Sequence, residues 1–230
     1  KMAYEVLALG NDWKAIITQY SGRLLGPFKG ENGESVLWVN AALNDEAAFR
    51  DFVRERRLHL GGERLWVNPE LKFYCQAPEL FDATYMVQPE IDPGDYALER
   101  QGDNVFLRQE TTLKDLNEDG EKRFSISRRY FAAPDPLASV RSLRDIQVDY
   151  CGFVQDIELR DKSPEAKLYL EPWVLTQVNP EGKFVTPYFG DFEFVDYYTP
   201  VKEMQRVCDG YVELDVTGAR KYKVAYRAAQ

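Results

Sequence analysis

The sequence predicts an antiparallel, all-β fold of the sandwich or barrel kind, with one short helix near residues 45–57. Three observations lead there. Turn-forming clusters recur about every ten residues. The segments between them are rich in β-branched and aromatic residues and alternate apolar with polar, the period of a half-buried strand. Helical patterns do not interleave with the strands, as a parallel sheet with crossover helices would require.

Ala15-Ile16-Ile17-Thr18-Gln19-Tyr20 is the first clear strand. The helix follows. Asn44-Asp45-Glu46 offers a cap and first-turn negative charge, Phe49, Phe52 and Val53 fall on one face, and Arg54, Arg56 and Arg57 suit its C-terminal end. Tyr96–Arg100 and Val105–Arg108 flank the turn Gln101-Gly102-Asp103-Asn104. Asn117-Glu118-Asp119-Gly120 marks a second hairpin, leading into the alternating Phe124-Ser125-Ile126-Ser127. Ile146, Val148 and Tyr150 alternate with Gln147 and Asp149. Asn179-Pro180-Glu181-Gly182 is a turn between Trp173–Val178 and Phe184–Thr186. Asp209-Gly210 precedes a strand with Tyr211, Leu214 and Val216, and Gly218 precedes one with Tyr222, Val224 and Tyr226.

The chain has 230 residues, 44% of them hydrophobic, enough for a sizeable core, and no linker divides it, so a single domain over 1–230 is expected. With 29 Lys+Arg against 38 Asp+Glu the net charge is −9, which repels phosphate backbones and argues against nucleic acid. Apolar runs such as Val36-Leu37-Trp38-Val39 are strand-sized, well below the ~18 residues of a membrane-spanning helix. Cys75, Cys151 and Cys208 are odd in number and far apart, so neither a disulfide framework nor a thiolate zinc site is expected. Reduced cysteines and a start without an apolar secretion signal give a cytoplasmic expectation. No phosphate loop, dinucleotide fingerprint, HExxH or EF-hand spacing occurs, and His59 is the single histidine. No metal and no cofactor are therefore expected.

Three segments carry the candidate chemistry. Leu58-His59-Leu60-Gly61-Gly62-Glu63-Arg64-Leu65-Trp66-Val67-Asn68-Pro69-Glu70 packs a histidine, two carboxylates, a guanidinium and an indole beside a glycine pair that permits close backbone approach. An indole face stacks on the C–H face of a pyranose, and Arg with carboxylates bonds vicinal hydroxyls. The same residues also fit a bend, with Arg64 paired to Glu70 and Trp66 in the core. Trp173, Leu175 and Gln177 share one face of a strand, presenting an indole and an amide, or else a core Trp beside a turn. Ser21-Gly22-Arg23 is a turn with an arginine.

Taken in order, these segments resemble the galactose mutarotase-like (aldose 1-epimerase-like) superfamily, in a poorly characterised branch. Ser21-Gly22-Arg23 is similar to its Gly-Gly-Arg turn, and Leu37-Trp38-Val39-Asn40 follows. Gly61-Gly62-Glu63-Arg64-Leu65-Trp66…Pro69-Glu70 is similar to a GG-x-R-x-W-x-x-PE motif, and Trp173-Val174-Leu175-Thr176-Gln177 to a W-x-x-TQ strand. Tyr188-Phe189-Gly190, Asp209-Gly210 and Gly218-Ala219-Arg220-Lys221-Tyr222-Lys223-Val224 look like later strands. The resemblance implies an antiparallel β-supersandwich whose concave face binds a sugar or oligosaccharide, with anomers interconverted by general acid–base catalysis. The resemblance carries over His59, as acid or hydroxyl partner; the clustering beside the glycine pair offers Glu70 or Glu63 as base, Arg64 as hydroxyl or carboxylate clamp and Trp66 as stacking platform, and the shared strand face adds Trp173 and Gln177 as sugar contacts. Two departures stand out. Active members use two histidines where this chain has one, and His59 sits one residue further from the glycine pair. Their late-strand glutamate base has no counterpart before Gln230, as expected of a domain cut short at that end or of a branch without the residue. A non-catalytic carbohydrate-binding or structural β-sandwich is the alternative.

Overall fold

Strands with one apolar face stay soluble in their own fold only by burying that face, and here two sheets bury theirs against each other. The computed structural model describes residues 2–136, 138, 148–165, 168–188, 190–197, 199–218 and 222–228. They form two compact units, Lys1–Gln177 and Val178–Gln230.

The first unit contains β1 (Tyr4–Gly10), β2 (Trp13–Thr18), β3 (Leu24–Lys29), α1 (Glu46–Arg54), β4 (Glu63–Asn68), α2 (Glu70–Phe73), α3 (Phe81–Thr84), β5 (Ala97–Gln101), β6 (Asn104–Lys114), β7 (Glu121–Ala132), β8 (Phe153–Asp161) and β9 (Glu171–Thr176). One sheet runs β1-β2-β3-β4-β9 and the other β5-β6-β7-β8. Every pairing is antiparallel, so the expected all-β class is what the chain adopts.

Two clusters fill the space between the sheets. Leu7, Ile17 and Leu24 of the first sheet meet Val105, Leu107 and Tyr130 of the second. Leu65 and Val67 meet Leu113, Phe124 and Ile126. The outward positions of the second sheet carry charge instead. Arg108 bonds Glu99 at 2.6 Å, Arg123 reaches Glu110 at 3.5 Å, and the guanidiniums of Arg108 and Arg129 lie over Phe106 and Phe131. Lys122 and Arg128 break this alternation by occupying inward positions of β7. Lys122 is matched at the rim by Asp161, 2.6 Å away. Arg128 lies deeper.

The helix begins as expected, with the Asp45 carboxylate accepting from Ala48 N at 2.7 Å. It ends at Arg54 rather than near 57, because Arg56 adopts a left-handed conformation (φ 51°). Arg57 N then donates to Phe52 O and Arg56 N to Val53 O, each at 3.1 Å, the paired bonds of a Schellman cap. With Arg in the position glycine usually takes, the sequence holds no visible stop signal there.

The hairpins around Gln101–Asn104 and Asn117–Gly120 form, joining β5 to β6 and β6 to β7. Val148 and Tyr150, expected in a strand, are irregular, and β8 starts at Phe153. There Asp149 is tied by side chains, accepting from Trp13 Nε1 at 2.8 Å and pairing with Lys29. Ile146, Gln147, Phe189 and Ala219–Lys221, also read as strand residues, lie outside the described residues.

The second unit holds β10 (Lys183–Pro187), β11 (Phe192–Asp196), β12 (Gln205–Val207), β13 (Tyr211–Asp215) and β14 (Val224–Ala228). Its sheets run β10-β13-β12 and β11-β14. Val201, Val212 and Leu214 are buried in it. The turn at Asn179–Gly182 is present, with Glu181 and Gly182 at positive φ, but it does not close a hairpin: β9 pairs with β4 and β10 with β13. Among the described residues no helix is long and apolar enough to cross a membrane.

Gly61 and Gly62 sit where several backbones converge. A side chain on Gly61 would meet Trp38 O at 2.4 Å, and one on Gly62 would meet Leu24 O at 2.0 Å. Gly62→Ala is therefore expected to cost about 3 kcal/mol or more, or to prevent folding, whereas Gly102→Ala, at similar φ but in open space, should cost about 1–2 kcal/mol. Urea unfolding of both variants measures the difference.

Candidate functional site

The alternation of β4 decides which of its residues can act together. Glu63, Leu65 and Val67 point to one side and Arg64 and Trp66 to the other. Opposite Arg64 and Trp66 in the neighbouring strand lie Leu175 and Trp173. The pairing runs on past β9, with Gln177 N donating to Gly62 O at 2.9 Å, so Gln177 falls on the same side as Trp173 and Leu175. Four residues expected to contact sugar, Arg64, Trp66, Trp173 and Gln177, thus share one face of β4 and β9. The two indoles meet edge to face, 5.8 Å between centroids.

Trp66 is 2% exposed, and Tyr74, just past α2, lies against it at 5.3 Å. Trp173, Leu175 and Gln177 are half-buried, and β9 is an edge strand of its sheet among the described residues. The face is buried at β4 and half-buried at β9.

Asp92, in the loop before β5, is the hub of the buried part. Its carboxylate accepts from Arg23 Nη2 at 2.9 Å, from Trp66 Nε1 at 3.0 Å and from Ser21 Oγ, and lies 3.5 Å from Arg64 Nη1. Arg23 Nε donates to Ser21 Oγ at 3.1 Å. The carbonyl of Leu58 accepts from both guanidiniums, at 2.8 and 3.0 Å. The Arg64 guanidinium lies 3.9 Å from the centroid of the Trp66 ring. Burial, aided by the neighbouring Arg23 charge, lowers the Arg64 pKa to about 10, and burial lowers Arg23 as well. Burial next to Asp92 raises the Tyr20 hydroxyl.

On the opposite side of β4, Glu63 faces the second sheet. Arg128 donates to Glu63 at 3.1 Å, to the carbonyl of Gly22 at 2.5 Å and to Gln155 at 2.6 Å. The Tyr130 hydroxyl donates to Gln155 at 2.7 Å. Burial pushes the Glu63 carboxyl up against the pull of Arg128. Burial opposes the Arg128 charge in turn, but Tyr130 and Glu63 more than offset it and the guanidinium stays protonated.

The three candidate acid and base residues lie on different elements. Glu63 is on the other face of the strand. His59 is exposed in the loop before β4, its carbonyl accepting from Asn40 Nδ2 at 2.9 Å. Glu70, half-buried, opens α2. The ion-pair partner of Arg64 is Asp92, where the sequence offered Glu70.

Three buried polar atoms on the indole side have no hydrogen-bond partner: Arg23 Nη1, Arg64 Nε and Gln177 Oε1. Buried polar groups are bonded in the great majority of cases, so orphans call for a cause. Two hollows of about 990 and 820 Å³ border the second sheet, lined by residues such as Gln109, Thr111, Ser125 and Ser127. None of the predicted residues lines them, and Arg108 and Arg160 there already pair with Glu99 and Glu158. Among the described residues no group of three or more His, Cys, Asp or Glu side chains could hold a metal ion.

Sequence reasoning missed Asp92, Arg128 and Gln155. Arg128 had a signal: continuing the Phe124, Ile126 alternation puts a charge at a core position, which requires a buried partner. Asp92, in a Pro- and Gly-containing loop, had none. No known protein family, curated protein or solved structure matches this chain.

Asp92→Asn would leave two buried guanidiniums without a counter-charge and is expected to cost about 3–5 kcal/mol. Asp156→Asn, at the half-exposed partner of Arg129, should cost at most about 1 kcal/mol. Urea unfolding at pH 7 separates them, and similar losses would remove Asp92 as the hub.

Proposed function

We propose that this protein binds a sugar on the face shared by β4 and β9, as a carbohydrate-binding protein rather than an anomer-exchanging enzyme. The observation that carries the reading is the set of orphan atoms on the side of the sheet that carries two indoles. Arg23 Nη1 and Arg64 Nε are unused donors and Gln177 Oε1 is an unused acceptor. A hydroxyl gives and takes hydrogen bonds, so vicinal hydroxyls complement such a mixed set. Trp173, half-buried at the sheet edge, offers an apolar plane for a pyranose face. The resemblance to the mutarotase-like superfamily, carried by the same residues, points the same way.

Anomer exchange needs an acid and a base both within reach of the sugar. Glu63 is turned to the other side of β4 and bonded to Arg128, which removes one candidate base from that face and favours binding without turnover. The second reading, an interior polar network that only stabilises the sandwich, is favoured by the burial of Arg23, Asp92 and Trp66, each at most 5% exposed.

Titration calorimetry against a panel of neutral and acidic monosaccharides and short oligosaccharides tests the proposal. Saturable binding is expected, weakened about tenfold in Trp173→Ala. Anomer exchange followed by NMR is expected to proceed at the buffer rate. If nothing on the panel binds while Arg64→Gln sharply lowers the unfolding midpoint, the network is structural and the proposal fails. Exchange faster than buffer would make the protein an enzyme instead.

A further inference from the structure

Charge bookkeeping around the same face narrows the ligand. Six charged residues are buried among the described residues: Arg23, Arg64, Lys122 and Arg128 against Glu63 and Asp92. Arg128 is matched by Glu63 across the sandwich, and Lys122 by Asp161 at the rim. That leaves Arg23 and Arg64 sharing the one carboxylate of Asp92, a surplus of a single positive charge. Both side chains are more than nine-tenths buried, at 1% and 6% exposure, so water screens the surplus poorly. Asp92 supplies one negative charge, and its oxygens also take Trp66 and Ser21. The orphan N–H groups, Arg23 Nη1 and Arg64 Nε, belong to these same two guanidiniums.

Resting on the sugar-binding reading, we infer that the ligand is an acidic sugar carrying one carboxylate, of the uronic acid class, whose carboxylate takes the free N–H groups of Arg23 and Arg64 while its hydroxyls face Gln177 and its ring lies against Trp173. A single negative charge balances the surplus. A phosphate, close to two negative charges at pH 7, would overshoot it, and a neutral sugar would leave it standing. Guanidinium-to-carboxylate hydrogen bonds in a poorly solvated place are also among the stronger contacts available. The Arg64 guanidinium, stacked on Trp66 and bonded to Leu58 O, is already held in place, so little further ordering accompanies binding.

The test is calorimetry on the intact chain with glucuronate, galacturonate, glucose, galactose and glucose 6-phosphate at fixed ionic strength. At least one uronate is expected to bind about tenfold or more tighter than its neutral parent, and tighter than the sugar phosphate. Equal binding of uronates and neutral sugars overturns the acidic-ligand inference and leaves the sugar-binding reading intact. Tighter binding of the phosphate overturns the single-carboxylate assignment. No binding by any sugar overturns both. In Arg64→Gln, checked for folding by circular dichroism, the uronate preference should fall below about threefold. A preference that persists in the folded variant overturns the role given to Arg64, and if that variant does not fold, the wild-type panel alone decides.

Discussion

A carboxylate enclosed by two guanidiniums is the constraint on which the first unit turns. Asp92 joins the turn at Ser21–Arg23, the strand carrying Arg64 and Trp66, and the loop leading into β5. In a poorly solvated interior the arginines would repel each other, and the bond from each to Leu58 O satisfies an N–H without supplying charge. Asp92 therefore allows the two cations to be buried side by side. The same contacts fasten the segment from Pro69 to Asp92 over the indole side of β4, with Tyr74 packed on Trp66.

The period of a strand then divides the chemistry. Glu63 and Arg64 are neighbours in the chain and lie on opposite sides of the sheet. Glu63 serves the inter-sheet network of Arg128, Tyr130 and Gln155, whereas Arg64 joins the indole face. A carboxylate and a guanidinium adjacent in sequence are thereby prevented from serving one ligand.

Much of the fold was legible because its causes are local. Alternation in Phe124–Ser127 and the turn residues around Gly102 and Gly120 announced two hairpins that form in register. The shared face of Trp173 and Gln177 followed from spacing alone. Other features depended on contacts that spacing does not reveal. Arg56 ends the helix in a conformation its side chain does not advertise, and Val148 and Tyr150 alternate like a strand while Asp149 is claimed by Trp13 and Lys29.

By itself the sequence determined the antiparallel class, most turns and the residues that share a face, since strand period and turn chemistry act over a few positions. Only tertiary structure decided which charges meet. Asp92 is 69 residues from Arg23, and Arg128 is 65 from Glu63. An ion pair requires proximity in space, and the strand order that supplies it, β3 beside β4 and β4 beside β9, is set by burial of whole sheet faces rather than by any short motif.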